Sequence, residues 1–187
     1  MIHFDAPDYR QHIAAASPSG RVPVLLDRDC AIWDSLAICE YAAEGTGGGW
    51  PRDRAARAVA RAAAAEMHSG FQVLRSECPM NIRALDRRVP QTQALSADIA
   101  RIDHIWADCR ARFGAGGDWL FGAFGIADAM FAPVAFRFRT YGAALSAPAG
   151  AYLAHVLADP VVCEWRVAAE NEGHPMPDTD RLGTTAG

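Results

Sequence analysis

The sequence contains no lysine: its eighteen basic residues are all arginine, while alanine takes 38 of the 187 positions. That pairing reads as the codon bias of a GC-rich genome and carries no function of its own. It does bear on one motif. Gly45-Thr46-Gly47-Gly48-Gly49 has the glycine content of a phosphate loop, but no Lys-Ser or Lys-Thr follows it, so the phosphate-loop reading fails. Cysteine is sparse and scattered. Cys30, Cys39, Cys78, Cys109 and Cys163 are odd in number and form no CxxC, which argues against a disulfide framework or a structural zinc site and for reduced thiols. The six histidines (His3, His12, His68, His104, His155 and His174) never fall at HxxxH or HExxH spacing, so no metal site is expected. An excess of positive charge is also missing. A net charge of −4 and an isoelectric point near 5.8 exclude a general nucleic-acid binder, which needs a basic face. The opening Met1-Ile2-His3-Phe4-Asp5 has neither a basic n-region nor an apolar h-region, so a cytoplasmic location is expected.

Only one long apolar run occurs, Trp119 to Phe136, with Asp128 as its sole acidic charge. An acidic side chain near the centre of a membrane span costs about 2.5–3.5 kcal/mol. Gly122, Gly125 and Pro133 interrupt the run further, so a buried core helix is the expected state and no membrane partner is assigned. With 51% hydrophobic and 21% charged residues the chain is core-forming, with room for one ordinary domain or two small ones.

Two regions of different character follow one another. In residues 1–44, Pro7 to Ala16 reads as a short helix ended by Ser17-Pro18-Ser19-Gly20. Val22-Pro23-Val24-Leu25-Leu26 and Ala31-Ile32-Trp33 flank the turn Asp27-Arg28-Asp29 as a hairpin. Asp34 or Ser35 then caps a helix through Glu44. The glycine run with Trp50-Pro51, residues 45–51, is the linker. From residue 52 to 187 everything reads as helix: Arg52 to Glu77, Thr92 to Phe113, Ile126 to Thr140, Ala149 to Ala158, and Val161 to Glu172, before a polar tail expected to fray. Leu95, Ile99, Ile102, Trp106, Cys109 and Phe113 form one apolar stripe on the second of these. Arg54, Arg57 and Arg61 form a basic stripe, read as a solvated face or part of a dimer contact.

The stretch Gly20-Arg21-Val22-Pro23-Val24-Leu25, followed by Ile32-Trp33-Asp34-Ser35-Leu36-Ala37-Ile38-Cys39-Glu40-Tyr41, resembles the glutathione-binding half of the glutathione S-transferase family. Phe124-Gly125-Ile126-Ala127-Asp128-Ala129 resembles the capping box that opens the core helix of the family's C-terminal domain. Met67-His68-Ser69-Gly70-Phe71, Pro79-Met80-Asn81-Ile82-Arg83 and Arg137-Phe138-Arg139-Thr140-Tyr141 resemble bacterial members. The resemblance covers nearly the whole chain. It implies a partial thioredoxin-like α/β domain followed by an all-helical glutathione S-transferase C-terminal domain.

It also implies a site. A cis proline at Pro23 would turn the backbone of Val22 outward, where the family holds the cysteinyl part of glutathione through main-chain hydrogen bonds. The hydroxyl and amide of Ser35, at a helix start, suit the γ-glutamyl carboxylate, and Asp34 suits the ammonium. Taken alone, Ser35 reads as an N-cap and Pro23 as a turn residue. Met67, Phe71, Arg75, Arg139 and Tyr141 are the candidates for a pocket that takes the electrophile; by spacing alone they read equally as helix packing and surface arginines. Asp128 is assigned a structural role, accepting the N–H at the helix start. Gly125 stands where the family usually has serine or threonine, so half of the reciprocal box is absent. Loss of that cap alone would cost about 1–2 kcal/mol.

The family's catalytic tyrosine, serine or cysteine ends a first strand that precedes the part seen here. No catalytic residue is therefore assigned, and Tyr9 and Ser17 are not substitutes. Met1 to Asp5 is expected to supply at most the end of a second strand. A two-stranded sheet is marginal in water. The open explanations are an upstream start codon, which is favoured, a degenerate homologue, or a partner that completes the sheet. The leading function is glutathione-dependent conjugation or isomerisation of small electrophiles by a cytoplasmic homodimer, with glutathione as co-substrate and no metal. The alternatives are a non-catalytic glutathione-binding or dimerisation module, a maleylacetoacetate isomerase-like enzyme, and a helical scaffold whose α/β part is vestigial.

Overall fold

The computed structural model describes residues 6–173, 179–180 and 183. The strand end expected at Met1 to Asp5 and most of the polar tail lie outside them. Two compact units divide the chain, Met1–Gly49 and Trp50–Gly187, and the division falls at the end of the glycine run.

The first unit is small. Helix α1 (Tyr9–Ala16) precedes strands β1 (Val24–Asp27) and β2 (Cys30–Trp33), which pair antiparallel from Val24 opposite Trp33 to Asp27 opposite Cys30. The two residues between the strands, Arg28 and Asp29, form the turn, and Arg28 takes a left-handed φ of 52°. Helix α2 (Ser35–Glu44) follows at once and packs on both strands. Its Tyr41 hydroxyl donates to the Asp27 carboxylate at 2.7 Å, tying the helix to the far end of β1. The N-cap is Asp34 and not Ser35: the Asp34 carboxylate accepts from the N–H groups of Leu36 (2.9 Å) and Ala37 (3.4 Å).

The second unit is all helical. The alanine-rich stretch expected as one helix is two, α3 (Arg54–Ser69) and α4 (Gln72–Glu77). Alanine propensity gives no sign of the break, which tertiary contacts make. Phe71 adopts a left-handed φ of 59° and turns its ring into the core. Arg75 reaches back to the carbonyls of Met67 (2.6 Å), Gly70 (3.1 Å) and His68 (3.4 Å), satisfying acceptors that the end of α3 leaves open. Of the arginine stripe, Arg57 donates to the carbonyls of Pro51 and Arg52, and Arg61 lies over the Trp50 ring at 5.7 Å.

Helix α5 (Gln93–Phe113) is capped by the Thr92 hydroxyl. The apolar stripe buries Leu95, Ile102, Trp106 and Cys109, with Ile105 added to it, while Ile99 and Phe113 are half-buried. Helix α6 (Ile126–Tyr141) runs through the centre, and α7 (Ala147–Ala158) and α8 (Pro160–Asn171) complete the unit. The core gathers around Trp106. Its ring meets Phe131, Phe138 and Tyr152 edge-on, with centroids 4.9–5.7 Å away. Between α5 and α6 the Arg110 guanidinium grips the loop, donating to the carbonyls of Gly114, Gly117 and Trp119. No helix among the described residues is long and apolar enough to cross a membrane.

Candidate functional site

The hairpin register decides what happens in the first unit. Because Val24 faces Trp33, the residues just before β1 and just after β2 meet at the same end of the hairpin. Those residues are Val22 and Pro23 on one side and Asp34 and Ser35 on the other, the four singled out from sequence. The Val22–Pro23 peptide bond is cis, and the Val22 side chain is exposed. Asp34 has a φ of 78°, in the region that non-glycine residues rarely enter. Strained backbone of this kind persists where the surroundings impose it and concentrates at ligand sites. Here it turns the Asp34 carboxylate back over the first turn of α2, so the donors at Leu36 and Ala37 are already satisfied. The Ser35 N–H and hydroxyl are not: among the described residues neither has a hydrogen-bond partner.

The pair is thus polarised in one direction. Ser35 offers two donors at the positive end of a helix dipole, beside the Asp34 carboxylate. A plain anion would meet repulsion from Asp34. An α-amino carboxylate would not, since its ammonium complements Asp34 while its carboxylate takes the donors.

The five candidates in the second unit are all engaged in packing or backbone bonds. Met67 and Phe71 belong to the core cluster. Arg75 holds the carbonyls at the end of α3, Arg139 donates to the Ile82 carbonyl at 3.1 Å, and the Tyr141 hydroxyl donates to the Pro79 carbonyl at 3.1 Å. Tyr141 lines a cavity of about 320 Å³, shared with Arg137, Phe138, Leu74, Cys78 and Ile99. Arg137 was not among the sequence candidates. The only signal for it is a charge in the otherwise apolar stretch from Pro133 to Phe138.

Asp128 is nearly inaccessible and does more than cap. Its carboxylate accepts from the N–H groups of Gly125 (2.9 Å) and Leu120 (3.0 Å) and from the Tyr152 hydroxyl (2.9 Å). Gly125 offers no side chain in return, so only one half of a capping box is built. Burial pushes the Asp128 carboxyl above its usual range, against the pull of those three donors.

The model of the glutathione S-transferase N-terminal domain matches residues 2–44, and that of the C-terminal domain matches residues 92–171. The chain belongs to the glutathione S-transferase family. Its fold is accordingly a short thioredoxin-like α/β region with two strands, followed by the family's all-helical C-terminal domain.

Solved structures share that fold. A glutathione transferase homologue from Burkholderia with bound glutathione is 23% identical, with a TM-score of 0.63 over 89% of this chain and 80% of its own. The holo structure of maleyl pyruvate isomerase, a bacterial glutathione S-transferase of the zeta class, is 19% identical, with a TM-score of 0.66 over 92% of this chain and 86% of its own. A tau-class glutathione S-transferase from mango is 21% identical, with a TM-score of 0.61 over 92% and 78%. No curated protein sequence matches the chain significantly. Among the described residues no cluster of three or more histidine, cysteine or acidic side chains could hold a metal ion. Within the glutathione S-transferase frame, Cys39, Cys78 and Cys109 are not activated thiols. Burial pushes Cys78 up to about 11 and Cys109 up to about 12, and raises Cys39 as well.

Proposed function

We propose that the chain binds glutathione at the open end of its hairpin and belongs to an enzyme that conjugates or isomerises small electrophiles, with glutathione as co-substrate. One observation carries the reading: the register brings Val22-Pro23 and Asp34-Ser35 to one end of the hairpin, with neither donor of Ser35 engaged among the described residues. The γ-glutamyl carboxylate would take the Ser35 N–H and hydroxyl, its ammonium would face Asp34, and the cysteinyl main chain would pair with Val22. This division of labour selects a zwitterionic head over a simple acid. The titration state supports it too, because the glutathione amine and carboxylate are both charged at neutral pH.

Replacing Ser35 with alanine removes one charge-assisted hydrogen bond while leaving the Asp34 cap in place. The expected result is glutathione affinity lowered about tenfold, as loss of about 1.4 kcal/mol implies, with the melting temperature unchanged. Calorimetric titration with glutathione reads it, and equal affinity for the two proteins would remove Ser35 from the site. Turnover of chlorodinitrobenzene separates an enzyme from a protein that only binds: glutathione binding without turnover would favour the non-catalytic module. The same reading makes the protein a cytoplasmic homodimer with a role in detoxification.

A further inference from the structure

Arg137 is a half-buried charge for which the glutathione chemistry has no use. It stands on α6 and lines the cavity of about 320 Å³ within the helical unit. Its Nε atom is buried and has no partner, and among the described residues its one hydrogen bond is from Nη1 to the Pro133 carbonyl, at 3.3 Å. No carboxylate among the described residues pairs with it. The neighbouring guanidinium of Arg75 is spent on backbone carbonyls and adds repulsion. Burial and that repulsion lower Arg137 to about 10. A guanidinium carries five N–H donors, and one that is out of reach of water and unpaired is costly to keep. Leu74, Ile99 and Phe138 give the cavity wall its hydrocarbon, with Gln91 and Tyr141 beside them. The Cys78 thiol, raised to about 11, is protonated at neutral pH and so does not repel an anion. Bare phosphate or sulfate would leave those apolar walls uncovered. A carboxylate matches the fork of a guanidinium, and a hydrocarbon body attached to it would cover the walls.

We infer that this cavity binds a small monocarboxylate with an apolar body, the carboxylate on Arg137 and the hydrocarbon against Leu74, Ile99 and Phe138. Its volume is at the lower end of ligand pockets, which run from about 300 to 1,000 Å³, so the ligand is a compact acid of ring size. The site is made by the helical unit alone and does not rest on the glutathione reading.

The test is calorimetric titration of the full chain, without glutathione, by hydrocinnamate, its neutral amide hydrocinnamamide, and inorganic phosphate. The acid is expected to bind at least tenfold tighter than the amide, with phosphate weaker than either. In Arg137→Met the advantage of acid over amide disappears. That variant is expected to melt no lower than the parent, because methionine replaces an unpaired charge by an apolar chain of similar length. Equal binding of acid and amide, no binding of the acid at millimolar concentration, or an acid preference that survives in Arg137→Met would each overturn the inference. The acid–amide comparison on the unmodified chain stands even if Arg137→Met does not fold. Because glutathione is absent throughout, failure here leaves the Ser35 result untouched, and the reverse.

Discussion

Asp128→Ala is expected to destabilise the helical unit by about 4–6 kcal/mol, several times the value of a lost helix cap, since a buried donor left without its acceptor costs about 1–3 kcal/mol. Three such donors are orphaned together: the N–H groups of Leu120 and Gly125 and the Tyr152 hydroxyl. Chemical denaturation followed by far-ultraviolet circular dichroism reads the loss, and a change below about 1 kcal/mol would match an ordinary surface substitution instead. Tyr152→Phe removes one donor and is expected to cost about 1–2 kcal/mol. In the double variant the two losses should add to less than their sum, because the hydroxyl that Asp128→Ala leaves stranded is already gone. The pH dependence has a definite sign. The buried carboxyl keeps its proton to higher pH than in the unfolded chain, where it titrates near about 3.9. Above that value the unfolded state loses the proton first, so this contribution to stability falls as pH rises, until the native carboxyl has ionised as well. Asp128→Asn should lack that fall.

Trp106 carries the second large expectation. It is fully buried at the meeting point of Phe131, Phe138 and Tyr152, so Trp106→Ala opens a cavity worth about 3–5 kcal/mol. Trp106→Phe should be far milder, about 1–2 kcal/mol. The usual penalty for losing an indole N–H bond does not arise, since Nε1 has no acceptor among the described residues. Thermal denaturation of the two variants beside the parent separates these cases. If phenylalanine proves as damaging as alanine, an acceptor for the indole is at work.

The different fates of these residues explain what sequence could reveal. The hairpin and the starts of α2, α5 and α6 were legible because local chemistry sets them: the Asp34 carboxylate, the Thr92 hydroxyl, and glycine at position 125 act within a few residues of where they stand. The same locality made Asp128 readable as a cap. Its bond to Tyr152 spans 24 residues and leaves no periodic trace. The break at Gly70 and Phe71 was hidden for a similar reason. Sixteen residues of α3 favour helix by propensity, and the stop is enforced by Phe71 entering the core and Arg75 closing the end. In the site, the residue types of Val22, Pro23, Asp34 and Ser35 were visible as motif pieces. That they converge follows from the register, which pairs Val24 with Trp33. Arg137 escaped because its significance lies in what it lacks among the described residues, a carboxylate partner, and sequence does not display missing partners.

The segment from Gly114 to Gly125 connects two helices and has little regular structure, yet it is anchored from both sides. Arg110 grips three of its carbonyls, and Asp128 holds its Leu120 and Gly125 amides. Connecting segments ordinarily surrender their amide hydrogens to solvent through small local openings. Those two amides cannot be released without breaking the grip of a buried carboxylate. In deuterium they should therefore exchange on the time scale of the helical unit's global opening, so that a stretch lacking helix or sheet ladders behaves as part of the unit's slowest-exchanging core.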